Sequence, residues 1–499
     1  MSVATEHAET FASLNPATGE VVAEHPVHDE AAVAEAVGRA REAAAWWSAL
    51  GWKERRLRLL NVKGALTRHL NRMAELIHQE TGKPLQDAQL ETVMAITHLD
   101  WAARNAEKVL GPRTVFPGLM SINQRCVVEY QPLGVVGVIG PWNYPVFTPM
   151  GAIGYALAAG NTVVFKPSEF TPGVGELLAS LVAGVVPEQP VLQVVTGHGA
   201  TGAALAGSPG VDKIAFTGSA RTAKRVMAAC AANLTPLVAE CGGKDACLVD
   251  ADADLDAAAD AALWGAMANA GQTCIGVERI YVVDEVYDKF LGLLTDKARD
   301  LRPGFDREAA YGPITMPGQL DVIERHIRDA LDKGGKAVVG GVESVRKPYV
   351  EPVVLTGVPD DSSAVSEETF GPTITVHRVK DLDEGIERAN RGAYGLAGTI
   401  FSGNRSRALE AARRMRSGMT SINSFAAFAN IAALPFGGVG ESGFGRVHGA
   451  DGLREFSRAK AITRQRFGST TLTSFARTEK EMARVLGLIT MLHGRRYKR

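Results

Sequence analysis

Cys274 stands apart among five cysteines: in Asn269-Ala-Gly-Gln-Thr-Cys274 it follows a helical stretch and a glycine, where a thiol can be reached. A thiolate there could attack a carbonyl carbon, although inert burial is the ordinary fate of a cysteine. Glu240, in Ala239-Glu-Cys-Gly-Gly-Lys244, ends an apolar strand, where a carboxylate is costly unless it works as an acid or base or finds a cap or ion pair. In Pro141-Trp-Asn-Tyr-Pro145 two prolines fix a rigid loop inside an apolar run, so the Asn143 amide could donate to an oxyanion. Phe165-Lys-Pro-Ser-Glu169 sets a cation and a carboxylate at a strand end, where Glu169 could accept both hydroxyls of a ribose and Lys166 could serve ribose or phosphate; without context a solvated ion pair is the leading reading. Phe216-Thr-Gly-Ser219 ends a strand at a glycine and starts a helix at a serine, which suits a pyrophosphate, though on its own the helix-cap reading leads. The match of Gly438-Val-Gly-Glu-Ser-Gly443 to G-x-G-x-x-G follows a proline loop and lacks a βαβ unit, so it reads as a structural glycine loop.

The elements that position these groups follow from periodicity. Apolar strands are expected at 134–139, 161–165, 191–195 and 213–216, with helices at 150–159, 174–183, 201–207 and 220–232. A second series places strands at 246–249, 279–283, 336–339 and 353–355 and helices at 255–269, 285–301 and 319–333. Strands alternating with helices make this an α/β chain of two doubly wound domains, and 499 residues suffice for two or three units. Lys and Arg number 54 against 55 Asp and Glu, a formal charge of -1, so the chain lacks the basic excess that binds nucleic acid. The cysteines are odd in number, with no C-x-x-C and no secretory signal in the polar first ten residues, so a reducing cytoplasm and no metal site are expected. The uncharged run 131–165 is broken by Pro132, Pro141, Pro145 and Pro149 and reads as buried core plus a loop rather than a membrane span.

Together these motifs, with Glu367-Glu-Thr-Phe-Gly-Pro372 and Leu434-Pro-Phe-Gly-Gly438, closely resemble the NAD(P)-dependent aldehyde dehydrogenases, from Asn15-Pro-Ala-Thr-Gly19 to Gly452-Leu-Arg-Glu-Phe456. The resemblance implies that fold, with an NAD-binding domain at 1–113 and 132–240, a catalytic domain at 241–440, and a β oligomerisation arm at 114–131 and 455–467. It implies a Cys274 nucleophile, an oxyanion hole from the Asn143 amide and the Cys274 N–H, and Glu240 as the base that activates water on a thioester. Trp142, Lys166, Glu169, Gly218, Ser219, Glu368 and Phe370 would hold the cofactor. Because Glu169 would repel a 2′-phosphate, NAD is favoured, with NADP also used by relatives carrying this glutamate. Tyr144, Thr148, Gly151, Ala268, Thr273 and Ile275 would line the substrate tunnel; small side chains at Thr148, Gly151 and Ala268 suggest a roomy, uncharged one.

Ala223, Cys241, Gly440 and Val447 depart from the usual family pattern, and Val447 stands where a glutamate that could relay protons is frequent. The nearest branches act on diapolycopene-type dialdehydes and on succinate semialdehyde. A long-chain or aromatic aldehyde is expected here, with succinate semialdehyde as the alternative. A cysteine hydrolase or acyltransferase without redox chemistry is a rival of another class, but it leaves Lys166, Glu169 and Ser219 without work. The resemblance also implies a homodimer or homotetramer, with segments 114–131 and 459–466 pairing across a subunit boundary. Beyond Phe467, the capping box Thr478-Glu-Lys-Glu481 opens an amphipathic helix that ends in Arg495, Arg496, Lys498 and Arg499. This tail, 468–499, is expected to pack on its own subunit, on a neighbour, or peripherally on an anionic membrane.

Overall fold

The computed structural model describes residues 9–468 and 474–494. The chain divides into two compact units, Met1–Leu110 with Gln131–Arg458, and Gly111–Tyr130 with Ala459–Arg499. The first unit opens with an antiparallel hairpin, β1 (Thr10–Leu14) and β2 (Val21–Pro26), turned by Asn15, whose side chain accepts from Ala17 N at 2.9 Å. Four helices follow: α1 (Glu30–Ala49), α2 (Gly51–Arg68), α3 (Leu70–Thr81) and α4 (Leu85–Leu110). Asp29 caps α1 by accepting from Ala32 N, and the buried stripe Val33, Ala36, Val37, Ala40, Ala44 and Trp47 recurs at helical spacing. The strands β3 (Arg113–Val115) and β4 (Gln124–Pro132) then begin the second unit's sheet.

The first large sheet is built from β5 (Val135–Ile139), β6 (Thr162–Lys166), β7 (Leu192–Val194), β8 (Lys213–Thr217) and β9 (Leu237–Glu240). Its connecting helices are α5 (Phe147–Ala159), α6 (Pro172–Val185), α7 (Gly199–Gly207) and α8 (Ala220–Ala231). These five strands are parallel in the order β9-β8-β5-β6-β7. The chain winds outward from β5 through β6 to β7, then returns to the other side of β5 with β8, so strand order switches between β5 and β8. In such sheets ligands bind at the carboxyl ends of the strands flanking that switch.

The second sheet begins with β10 (Asp245–Val249), then α9 (Leu255–Met267) and β11 (Val277–Val283). It continues, past a small hairpin of β13 (Val345–Arg346) and β14 (Tyr349–Val350), with β12 (Lys336–Val339), β15 (Val353–Thr356), β16 (Thr373–Val379), β17 (Ala397–Phe401) and β18 (Met419–Ile422). The order is β12-β15-β16-β11-β10-β17-β18, parallel except for the edge strand β12. Separate apolar cores pack on its two faces, one around Ile280, Phe290 and Ile323 and the other around Leu248, Tyr281 and Ile400. The short strand β19 (Gly443–Phe444) pairs antiparallel with β9, Gly443 opposite Glu240. A Cβ at Gly443 would lie 2.0 Å from Ala239 O, so the glycine loop is what lets this strand close on β9.

Several expected boundaries shift. The helix expected at 255–269 stops at Met267 because Asn269 and Ala270 are left-handed, with φ of 53° and 55°. The helix expected from residue 150 starts at Phe147, Pro149 falling in its first turn, where no intrahelical N–H is needed. The run 131–165 folds as the end of β4, then β5, a loop, α5 and β6, buried from Val135 onward except at Pro141, Trp142, Tyr144 and Thr148; among the described residues no helix is long and apolar enough to cross a membrane.

In the second unit, β20 (Ser457–Gln465), β4 and β3 form one sheet in the order β20-β4-β3. The two arm segments expected to pair across a subunit boundary therefore pair within the chain, joined also by Arg466 N donating to Asn123 O at 2.8 Å. The tail helix forms at Glu479–His493 with the expected capping box, and none of its residues is buried. Its basic end, Arg495 to Arg499, lies outside the described residues.

Candidate active site

The expected nucleotide residues collect at the carboxyl ends of β5, β6 and β8, where the strand order switches. Lys166 ends β6, opposite Ile139 of β5, and its Nζ lies 3.5 Å from Glu169 Oε2 in the loop that follows. Burial pulls the Lys166 ammonium down from its ordinary value, opposed by Glu169. Gly218 follows β8, and a Cβ there would sit 2.8 Å from Phe216 Cζ, so glycine keeps the backbone open to a ligand. Ser219 caps α8 by accepting from Thr222 N, which leaves the other first-turn amides free for an anion. The cap and phosphate readings of this motif are thus compatible. A glycine cradle and a helix N-terminus after β8, and an ammonium–carboxylate pair after β6, flank the end of β5 and are the parts a dinucleotide requires, and these residues fit one. Trp142, in the loop after β5, packs edge-on against Phe370, ring centroids 5.5 Å apart, and Glu368 accepts from Gly243 N at 2.9 Å. Burial beside Glu278 pushes the Glu368 carboxyl up to about 8.

Cys274 sits in a strained turn. Asn269, Ala270 and Gly271 are successive left-handed residues, and the two non-glycine ones cost about 1–3 kcal/mol each. The turn is held by side chains: Gln272 Nε2 donates to Asn269 O at 2.9 Å, and Thr315 N donates to Gln272 Oε1 at 2.8 Å. Cys274 is partly exposed, and its thiol is raised by burial and by Glu368, Asp245 and Glu240, with the Ile275 N–H opposing. The resting thiol is therefore protonated, and forming the thiolate requires a change in this surrounding charge. Gly243 passes so close that a Cβ would lie 2.5 Å from Cys274 O. Glu240 is 6% exposed and neither carboxylate oxygen has a hydrogen-bond partner among the described residues; desolvation raises its pKa well above the usual carboxylate range.

Asn143 is fixed from three sides. Its Nδ2 donates to Gln272 O at 2.9 Å, while its backbone carbonyl accepts from Lys83 Nζ at 2.7 Å and Asn269 Nδ2 at 3.1 Å. Lys83 is fully buried on a 2.7 Å ion pair with Glu91, whose other oxygen accepts from Val146 N and Phe147 N. One buried pair thus grips both ends of the asparagine loop. A second, Lys244 with Glu278, does the same for the Glu368 loop, since Glu278 accepts from Thr369 N and Phe370 N.

Cys274 and Glu240 open onto one cavity of about 140 Å³. Tyr144, Thr148, Ala268, Thr273 and Ile275 line it, with Tyr144 Oη 2.9 Å from Thr273 Oγ1. Gly151 does not: it stands behind the wall, where a Cβ would fall 2.4 Å from Nε2 of His448, and His448 is the lining residue. Nor is the wall uncharged. Lys83 and Glu91 neutralise each other, but Asp87 lines the cavity without an ion pair or side-chain hydrogen bond among the described residues, its pKa raised by burial and lowered by Lys83. Among the described residues no arginine lines the cavity. The rest of the wall is largely apolar, with Leu90, Met94, Phe147, Trp264, Phe425 and Phe436.

Sequence reading missed Lys83, Asp87, Glu91, Glu278 and His448. Lys83 and Glu91 stand eight residues apart around a helix start, a spacing that marks no motif. His448 directly follows the departing Val447 and was the one open to notice.

The sequence profile of the aldehyde dehydrogenase family matches residues 3–462. A 4,4'-diapolycopene aldehyde oxidase of Methylomonas sp is 37% identical over 90% of this chain and 84% of its own length. A Sinorhizobium fredii protein named as an NADP(+) succinate-semialdehyde dehydrogenase is 37% identical over 91% of this chain and 92% of its own. Among solved structures, an aldehyde dehydrogenase from Brucella melitensis biovar abortus superposes with a TM-score of 0.88 at 34% identity, covering 92% of this chain and 95% of that one.

Proposed function

The chain belongs to the aldehyde dehydrogenase family, and on that premise we propose that it oxidises a bulky, uncharged aldehyde, long-chain or aromatic, to the carboxylic acid with NAD. The observation that carries this reading is the opening of a partly exposed Cys274 and a buried Glu240, without a hydrogen-bond partner among the described residues, onto one largely apolar cavity beside a nucleotide cradle.

Cys274 gives up its thiol proton to water, its sulfur attacks the aldehyde carbon, and the carbonyl oxygen, becoming an oxyanion, takes hydrogen bonds from the Asn143 amide and the Cys274 N–H. Lys166, Glu169, Gly218, Ser219, Glu368, Trp142 and Phe370 would hold the nicotinamide dinucleotide, which supplies the hydride acceptor. The thioester left on Cys274 is opened by water, and Glu240 takes the proton that water loses. Once it has lost its own proton, its two oxygens, without hydrogen-bond partners among the described residues, can accept that of the water, and its raised pKa makes it a stronger base than an ordinary carboxylate. Glu169 at the ribose end favours NAD; the S. fredii relative named for NADP(+) makes a side-by-side assay with both nucleotides part of the test.

The second reading, an ω-carboxylate semialdehyde, follows the names of relatives such as the succinate-semialdehyde and glutarate-semialdehyde dehydrogenases. Asp87 on the wall and the lack of an arginine weigh against it, since a second carboxylate would meet repulsion and no bidentate partner. NADH formation across decanal, benzaldehyde, acetaldehyde and succinate semialdehyde tests the choice: decanal and benzaldehyde should lead in kcat/KM, and a lead for succinate semialdehyde would reverse it.

A further inference from the structure

The chemistry above leaves one group on the cavity wall without work. His448 is 3% exposed, lines the cavity, and has no hydrogen-bond partner at either Nδ1 or Nε2 among the described residues. Its ring lies 5.6 Å from Phe147, 5.5 Å from Phe436 and 4.0 Å from His98, centroid to centroid. His98 Nε2 donates to Ala429 O at 3.0 Å, which leaves His98 Nδ1 as a second buried lone pair with no donor among those residues.

A neutral imidazole carries one N–H and one lone pair, and burying both unmade is unfavourable unless something enters the cavity to meet them. Leucine or phenylalanine would fill the same space among these aromatic rings without orphaned nitrogens. Two further features make room for the histidine. Gly151 has no Cβ to collide with Nε2, and the backbone at residue 448 tolerates φ of 63°, which places a side chain where glycine is easier. Burial beside His98 holds His448 well below the ordinary imidazole range, so the ring is neutral at working pH and offers no cation to a carboxylate.

We propose that His448 is a specificity residue of the substrate tunnel, hydrogen-bonding a neutral oxygen on the aldehyde's own chain, a hydroxyl or a second carbonyl. The site then selects uncharged, oxygenated aldehydes over hydrocarbon ones of equal shape. The inference rests on the proposed function, because the oxygen must belong to an aldehyde held in this cavity.

The test is a set of hydroxyl-for-methyl pairs: hydroxybenzaldehydes against the matching methylbenzaldehydes, and ω-hydroxyalkanals against n-alkanals one carbon longer. In the wild type the hydroxyl member of the best pair should lead in kcat/KM by about 10-fold or more, as the net worth of one neutral hydrogen bond implies. In His448→Phe that ratio should fall to near one, whatever the two rates become, with the loss falling on the KM of the hydroxyl member; His448→Asn, which keeps a donor and an acceptor, should restore part of it. Gly151→Ala, which displaces the ring, should lower it too. A flat ratio in every wild-type pair overturns the proposal and means that trapped water satisfies the ring. An unchanged ratio in His448→Phe, or in Gly151→Ala should the former not fold, overturns it as well. If none of these aldehydes is oxidised, the proposed function fails first; oxidation without preference removes only the role of His448.

Discussion

Glu240 has no hydrogen-bond donor on either oxygen among the described residues, and its burial holds it protonated well above the usual carboxylate range. A base in that state works only after losing its proton, so where thioester hydrolysis limits turnover, kcat should rise with pH through the raised pKa and then level. A kcat–pH profile that is flat, or falls over the same range, would deny Glu240 this part. Glu240→Gln should release a burst of NADH near one per site and then stall, because oxidation precedes hydrolysis. Cys274→Ala should lose turnover altogether while binding NAD with nearly wild-type affinity by calorimetry, since the residues at the ends of β6 and β8 do not depend on the thiol. Substantial residual turnover in that variant would move the nucleophile elsewhere.

At the scale of elements, the start of α4 and the asparagine loop are one mechanical unit joined through Lys83 and Glu91. Lys83→Met leaves Glu91 buried and unpaired, which should cost roughly 3–5 kcal/mol in denaturant unfolding, whereas Lys83→Met with Glu91→Leu should recover most of that. Neither variant keeps the Lys83 bond to the Asn143 carbonyl, which is left to Asn269 alone, so kcat should stay down by about 10²-fold in both. Recovery of kcat with stability would show that the pair is only structural. His98, on the same helix, is held neutral by burial, its pKa lowered from the ordinary 6.5 to about 4. The unfolded chain therefore binds a proton that the folded chain refuses, so stability is full above pH 6.5, falls between 6.5 and 4, and levels below; the loss approaches ~3 kcal/mol by linkage. His98→Gln should make that part of a Tm–pH curve shallower, the remaining slope coming from His326, His377 and His448, which burial also holds below their ordinary value.

These elements also show what sequence could and could not reveal. The strands of the first sheet were legible because a parallel strand buried on both faces reads as an unbroken apolar run, as in Val135–Ile139. Glu240 and Asn143 drew notice because each interrupts such a run with a group that needs a reason to be there, and Cys274 because it follows a helix and a glycine. Lys83 and Glu91 were not, since their partnership exists only once α4 and the loop before α5 meet. Gly151 misled for a related reason: a missing side chain signals space without saying which neighbour fills it, and here it is His448.

For the molecule as a whole, the second unit's sheet has β20 at one edge, nearly all of its residues exposed. An open edge of nine residues invites a partner strand, and we propose that it serves assembly into a homodimer or homotetramer. Sedimentation at micromolar concentration should show no stable monomer. The tail helix exposes Met482, Leu486 and Ile489, and a neighbouring subunit or an anionic surface is proposed to cover them. Deleting 474–499 should weaken either assembly or flotation with anionic liposomes at low salt; a deletion that changes neither leaves the tail outside both. In the proposed reaction an acyl group passes through Cys274 and waits there for Glu240, and intact-protein mass spectrometry reads that directly. Glu240→Gln incubated with NAD and decanal should gain the mass of one decanoyl group per chain, recovered after proteolysis on the peptide bearing Cys274. An unmodified chain that nevertheless formed NADH, or an acyl group on Cys241 or Cys247 instead, would contradict it.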